Sequence, residues 1–71
     1  MNEYYCNEGL SEREATILKL MTKGYDNEEI AKEISVSLHT VKAQISIILR
    51  KLDAKNRTVA VYKALKDGTI E

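Results

Sequence analysis

Apolar residues recur along the chain at intervals of three or four positions, in segments separated by polar residues and glycines. Such spacing is typical of amphipathic helices, in which residues three and four apart share one face. No Asn-Gly or Asp-Gly turn separates two alternating runs, so the pattern does not favour a β-hairpin. There is no proline, and the glycines fall between the periodic segments. The sequence therefore predicts an all-α fold of four helices.

Capping boxes mark the starts of the first two predicted helices. Ser11 is followed three residues later by Glu14, and Asp26 is followed by Glu29. In a capping box, each of the two side chains bonds the free backbone N–H of the other residue. Gly24 can adopt the left-handed conformation that ends a helix, so the first helix should stop there. The second helix should have only about two turns. The apolar residues at helical spacing are Ile17, Leu18 and Met21, then Ile30, Ala31 and Ile34.

The third and fourth helices are predicted from single capping residues. Ser37 can cap a helix from Leu38 to about Leu52, after an interruption at Ser35-Val36-Ser37. Asn56 can cap a helix from Arg57 to Asp67, which Gly68 would close.

Length and composition favour one small domain in the cytoplasm. The chain has 71 residues, 44% of them hydrophobic, which suits one compact core. We expect the domain to span residues 10–71, with residues 1–9 as a leader or linker remnant. The apolar runs are much shorter than the roughly 20 residues that span a bilayer, so no membrane partner is expected.

No pattern of catalytic, metal-ligating or cofactor-binding residues stands out. Cys6 is the only cysteine, and the sequence has no Cys/His cluster, glycine-rich phosphate loop or nucleophile–base pair. We therefore expect no enzyme activity, metal, cofactor or small-molecule ligand. The carboxylates in first turns are expected to cap helices or oppose the helix dipole, and these are Glu12, Glu14, Glu28 and Glu29.

Charge is distributed unevenly along a chain whose net charge is zero. Residues 1–35 hold eight acidic and four basic residues, and residues 36–71 hold three acidic and seven basic residues. A basic face can dock on phosphates while an acidic face points away, so the uneven distribution permits a nucleic-acid partner.

The second and third predicted helices have the arrangement of a helix-turn-helix, in which the later helix can enter the major groove of DNA. Counted from Val41 at 100° per residue, the side chains of Ile45, Ile48 and Leu52 cluster within roughly 40°, forming a buried face. The opposite face is polar, cationic and small, and it carries His39, Lys42, Ala43, Ser46 and Arg50.

Three residues on this face are suited to contact bases. Lys42 could donate to guanine O6 or N7, Ser46 could bond either kind of base edge, and Ala43 could touch a thymine methyl group. The long cations are expected to contact phosphates, although each of them, taken singly, also fits a solvated position. These cations are Arg50, Lys51, Lys55 and Arg57, and His39 is a further candidate for a phosphate contact.

Four blocks of residues in this order and at this spacing make a specific pattern: Leu10-Ser11-Glu12-Arg13-Glu14, Gly24 with Asn27-Glu28-Glu29-Ile30-Ala31, Ser37-Leu38-His39-Thr40-Val41-Lys42, and Lys51-Leu52 with Asn56-Arg57 and Ala60-Val61. With them the chain, from about Leu10 to Ile70, resembles the C-terminal DNA-binding domain of LuxR-type regulators. This bacterial family is also named for GerE and is found as the output domain of many response regulators.

The resemblance implies a four-helix domain that binds double-stranded DNA sequence-specifically and regulates transcription, with its third helix in the major groove. Lys42, Ala43 and Ser46 match the base-reading positions of the family. The positions at which family members tend to touch the phosphate backbone are occupied by Asn27, Ser37, Thr40, Gln44 and Arg57. RNA polymerase is a further candidate partner.

The chain departs from the family pattern at three positions. Gln44 stands where histidine is common, and Ile47 replaces a residue that is usually polar. Ser35 occupies a turn position often held by glycine, so it must either adopt a strained positive φ or shift the turn.

The resemblance also implies that the fourth helix mediates dimerisation on paired half-sites. From its spacing we expect Ala60, Val61, Ala64 and Leu65 in the core. The residues left toward solvent, and so the candidate dimer interface, are Val59, Tyr62, Lys63 and Lys66. An aromatic residue is typical of interfaces, but scattered exposed apolar residues are also normal.

Two other functions fit the same features. A sigma-factor region 4-like module also has an acidic first helix and a Thr-Val-Lys recognition helix, although Asn56-Arg57 and a complete fourth helix favour the LuxR type. A protein-interaction domain that has lost DNA binding is compatible with the net charge. Salt-dependent binding to duplex DNA separates DNA-binding modules from the latter.

Overall fold

The computed structural model describes residues 9–67, which form four α-helices and no strand. The all-α class and all four predicted helices are thereby confirmed. The third helix, predicted to end at about Leu52, has Lys51 as its last residue and Leu52 as its C-cap. The predicted leader up to residue 8 and the closing Gly68 lie outside the described residues. The helices are α1 (Glu12–Thr22), α2 (Asn27–Ile34), α3 (Leu38–Lys51) and α4 (Arg57–Asp67).

Both predicted capping boxes are present. Ser11 Oγ accepts from the Glu14 N–H at 3.1 Å, and Glu14 Oε1 accepts from the Ser11 N–H at 2.9 Å. Asp26 and Glu29 form the same pair of bonds, each at 2.8 Å. These bonds satisfy donors that a helix start would otherwise leave free, so α1 and α2 begin where local sequence dictates.

The later two helices also begin at their predicted caps. Ser37 Oγ accepts from the Thr40 N–H at 3.0 Å at the start of α3. Asn56 Oδ1 accepts from the Val59 N–H at 2.9 Å at the start of α4.

Residues with positive φ end the first three helices. Gly24 has φ +91° after α1, as expected. Ser35 takes the strained alternative, with φ 59° and ψ 47°, at a cost of about 1–2 kcal/mol relative to a right-handed residue. Its turn is closed by the Val36 N–H, which donates to the Ala31 carbonyl at 3.0 Å. Asp53, at φ 56° after α3, was not anticipated.

The core lies where the four helices meet. Ile17 and Leu18 of α1, Ile30 of α2, and Val41 and Ile48 of α3 have no exposed side-chain area. Two further residues of the predicted stripes, Ile34 and Leu52, are only half-buried and pack at the edge of the core. Around these, the other buried apolar residues are Leu20, Met21, Ala31, Ile45, Ala60 and Ala64.

The prediction for α4 was partly wrong. Ala60 and Ala64 are buried as expected, but Leu65 is 56% exposed, and Val61 is half-buried. Val59 and Lys63, expected toward solvent, are half-buried as well. The reason is that α4 packs against the core through Ala60 and Ala64, which lie four residues apart and form a narrow row on one face of the helix. Leu65 follows Ala64 and therefore points about 100° away from it around the helix axis.

Candidate nucleic-acid interface

The face of α3 opposite the core is open to solvent. Val41, Ile45 and Ile48 are buried, so the buried side of the helix is the one that the wheel predicts. The residues predicted for the other side are all exposed: His39, Lys42, Ala43, Ser46 and Arg50. The three candidate base-contacting residues thus lie together on one accessible helix face, which we call the α3 face.

The N-terminal end of α3 uses its hydroxyl groups within the cap. The Ser37 hydroxyl accepts from the Thr40 N–H and donates to Thr40 Oγ1, both at 3.0 Å. The hydroxyl hydrogen of Ser37 is therefore already engaged, whereas the hydroxyl of Thr40 accepts this bond and can still donate its own hydrogen.

Arg57 lies among groups of its own chain. Its Nη1 donates to Asn27 Oδ1 at 2.7 Å, and its Nη2 donates to the Tyr25 carbonyl at 2.8 Å. It therefore ties the start of α4 to the loop before α2. Because a guanidinium has only donors, these bonds also fix which end of the Asn27 amide is the oxygen and leave its NH₂ group directed elsewhere.

Lys51 is directed toward α1 rather than the α3 face. Its Nζ lies 2.8 Å from Glu14 Oε1 and 3.3 Å from the Gly9 carbonyl. Glu14 is buried, which alone would raise its carboxyl pKa. The hydrogen bonds from Lys51 and Ser11, together with the charge of Lys51, outweigh this and lower the pKa. Lys51 thus forms an ion pair between α1 and α3, and its contact with phosphate stays a prediction.

The other candidate phosphate contacts differ in accessibility. Lys55 is exposed, like His39 and Arg50. Gln44 is half-buried, and its Oε1 is buried without a hydrogen-bond partner among the described residues. The amide nitrogen is the donor of the Gln44 side chain, so the predicted phosphate contact would have to come from that nitrogen.

A shallow depression adjoins the α3 face at the start of α2. Lys42 contributes to it from α3, and Glu28 contributes from the first turn of α2. Sequence reasoning assigned Glu28 only to the helix dipole, because no local pattern shows that α2 and α3 bring it beside Lys42. The residues that line the depression are Asp26, Asn27, Glu28, Leu38, Lys42 and Arg57.

A second exposed surface lies on α4. Tyr62 is 61% exposed and Leu65 is 56% exposed. Lys66 Nζ lies 5.8 Å from the centroid of the Tyr62 ring, within the range of a cation–π contact. We call these three residues the α4 patch. Lys63 is not part of it, because its Nζ donates to the carbonyls of Leu52 and Asp53 at 3.1 and 2.8 Å.

In residues 9–67 there is no group of three or more His, Cys, Asp or Glu side chains that could hold a metal ion. No helix in this range has the length and apolar character to cross a membrane.

Comparison with known proteins gives one consistent result. The family model described as "Bacterial regulatory proteins, luxR family" matches residues 8–64. The chain is 45% identical over 64 residues to the response regulator protein VraR of Staphylococcus aureus strain NCTC 8325. The proteins of the same name from Staphylococcus saprophyticus and Staphylococcus epidermidis are equally similar, at 45% identity over 64 residues.

These matches cover most of the chain but only part of each relative. The aligned region is 90% of this chain and 31% of each VraR protein. The chain thus spans less than a third of the length of the curated relatives it matches. The match agrees with the family expected from the sequence blocks and favours it over a sigma-factor module.

Proposed function

The chain belongs to the luxR family of bacterial regulatory proteins, whose members bind DNA and regulate transcription, and from this membership we propose that it binds double-stranded DNA sequence-specifically with α3 in the major groove. The observation that carries the proposal is the α3 face. Lys42, Ala43 and Ser46 are exposed together there, and the small side chains of Ala43 and Ser46 let the helix approach base edges.

Cations around this face support a phosphate-binding role. Arg50 and Lys55 are exposed, and His39 is exposed near the start of α3. The Asn27 amide offers donors, since Arg57 occupies its oxygen. Phosphate contacts of this kind position a protein on the duplex, whereas contacts to base edges specify the sequence.

We further propose that two copies bind paired half-sites and meet through the α4 patch. Tyr62 and Leu65 form adjacent exposed apolar surface on a helix that is otherwise packed by its alanines. Tyrosine is enriched at interfaces. With one recognition helix from each copy, the half-sites would lie about 10 bp, or a multiple of this, apart.

The relatives suggest a larger context. They are response regulator proteins by name, and this chain aligns with 31% of their length. We propose that the domain is the DNA-binding output part of such a cytoplasmic regulator. An interaction with RNA polymerase stays a prediction.

The central test is a titration of duplex DNA at two salt concentrations, with wild type, Lys42→Ala and Lys19→Ala. Lys19 is an exposed lysine on α1, so its loss changes the net charge equally without touching the α3 face. Wild-type binding should weaken steeply with salt, because bound phosphates release counterions. Lys42→Ala should cost about 1–3 kcal/mol and relax the preference at one base pair. Lys19→Ala should bind nearly as wild type does.

Other outcomes assign other roles. Uniform weakening across all sequences would make Lys42 a phosphate contact rather than a base contact. Absence of duplex binding even at low salt would contradict the proposed function and favour a protein-interaction domain.

A further inference from the structure

Glu28 places a negative charge in the depression that also holds Lys42, a residue proposed to read bases. It lies in the first turn of α2 and lines the same depression as Lys42. Its side chain is exposed. Among residues 9–67, the ion pair found within 4 Å joins Lys51 to Glu14 and does not involve Glu28. The Glu28 side chain is therefore accessible to a molecule that covers the depression.

The other carboxylate of the depression is used by the fold. Asp26 Oδ1 accepts from the Glu29 N–H at 2.8 Å and so caps α2. The capping box of α2 does not involve Glu28. The charge of Glu28 can therefore be removed without removing a cap.

With α3 in the major groove, a carboxylate at this place would have a selective effect on DNA binding. It repels phosphates, so it lowers affinity wherever the backbone is the only partner. In the major groove its natural partner is the N4 amino group of cytosine, which is a donor. Lys42 is a donor and needs an acceptor, which guanine offers at O6 or N7. A G·C pair presents both partners on one edge.

We propose that Glu28 is a specificity-determining residue that reads one G·C pair together with Lys42. The Lys42 ammonium donates to the guanine, and the Glu28 carboxylate accepts from the cytosine. Where neither the cytosine N4 nor the adenine N6 amino group lies at that position, the carboxylate finds no base donor and weakens binding. This inference rests on the proposed function, because it requires α3 to lie in the major groove.

The test compares Glu28→Gln with Glu33→Gln. Both positions are exposed residues of α2, and both changes remove one negative charge, but Glu33 does not line the depression. Each variant, wild type and Lys42→Ala would be used to select binding sites from a duplex library with a randomised region. Affinity for a random-sequence duplex would be measured at two salt concentrations.

Wild type should enrich a G·C pair at a position where Lys42→Ala loses the preference. Glu28→Gln should weaken the cytosine preference at that pair, because the amide keeps an acceptor for cytosine but also pairs with adenine. It should bind random duplex roughly two- to four-fold more tightly at low salt. Its salt dependence should steepen by up to about one unit of slope. Glu33→Gln should select the wild-type site and bind random duplex as wild type does.

Unchanged site selection by Glu28→Gln would overturn the inference while leaving the proposed function intact. Equal effects of Glu28→Gln and Glu33→Gln would also overturn it, because net charge alone would then explain them. If wild type itself fails to bind duplex DNA, the proposed function is what fails.

Discussion

The guanidinium of Arg57 joins parts of the chain that lie 30 residues apart in sequence. From sequence it ranks with Arg50 as a cation for phosphates, because both are long, charged and close to the recognition helix. The structure separates them. Arg57 is half-buried and bonded to the Asn27 amide and the Tyr25 carbonyl, whereas Arg50 is exposed.

We therefore expect Arg57→Ala and Arg50→Ala to differ in stability. Arg57→Ala should lower the free energy of unfolding by about 1–3 kcal/mol, since it removes charge-assisted bonds from two acceptors. Arg50→Ala should change it by no more than about 0.5 kcal/mol while weakening DNA binding. Urea denaturation and duplex titration of both variants measure the two effects. Equal stability of the two variants would contradict the role given to Arg57.

Whether a side-chain hydrogen bond could be predicted depends on how far apart its two residues lie in the sequence. The caps at Ser11, Asp26, Ser37 and Asn56 depend on a residue three positions away, so they were predicted correctly. The bond from Arg57 to Asn27 depends on how α4 packs against the loop before α2, which no local pattern encodes.

At the scale of helices, one ion pair joins the first turn of α1 to the last turn of α3. Glu14 belongs to the capping box of α1 and also receives Lys51 Nζ at 2.8 Å. A local motif, the capping box, therefore positions Glu14, whereas the packing of α3 against α1 positions Lys51. Because the Glu14 side chain is only 8% exposed, its charge depends on these partners more than a surface carboxylate would.

This pair predicts a pH dependence of stability. The pKa of Glu14 is lowered in the folded protein, so the ionised carboxylate stabilises the fold. That contribution is complete above the unfolded pKa and is lost as pH falls through the folded pKa. Glu14→Gln should therefore be less stable than wild type near about pH 7, and the difference should shrink toward about pH 3.

The matched control is Glu12→Gln, an exposed residue in the same first turn. Chemical denaturation across this pH range would compare the three proteins. A constant difference between Glu14→Gln and wild type at all pH values would show that titration of Glu14 does not contribute.

The faces of the helices were predictable to different degrees. On α3 the large β-branched residues Val41, Ile45 and Ile48 mark one side, and polar residues mark the other, so the wheel gave the correct orientation. On α4 both small and large apolar residues occur, and they are spread over several faces of the helix. Periodicity alone could not show that the alanines pack inward and Leu65 outward, because that choice depends on how closely the neighbouring helices approach.

For the whole molecule, the zero net charge hides a division between the halves of the chain. The acidic excess falls in residues 1–35 and the basic excess in residues 36–71, which contain α3 and α4. With a net charge of zero, a single domain gains less from attraction to phosphates than a basic domain would. Pairing two domains on adjacent half-sites would raise the affinity through effective concentration, without any further contact to DNA.

The α4 patch gives this pairing a test at the scale of the assembly. Tyr62→Glu should reduce cooperative binding to paired half-sites, because it puts a charge in place of an exposed aromatic ring, and Leu65→Ser should do so without changing the net charge. Neither should alter binding to a single half-site, since the patch shares no residue with the α3 face. Thr16→Glu adds the same charge as Tyr62→Glu on an exposed position of α1 and serves as the control. Quantitative gel-shift titrations on one and two half-sites provide the comparison. If both patch variants retain full cooperativity, the copies do not meet through Tyr62 and Leu65, and any pairing must come from another surface or from a part of the regulator outside this domain.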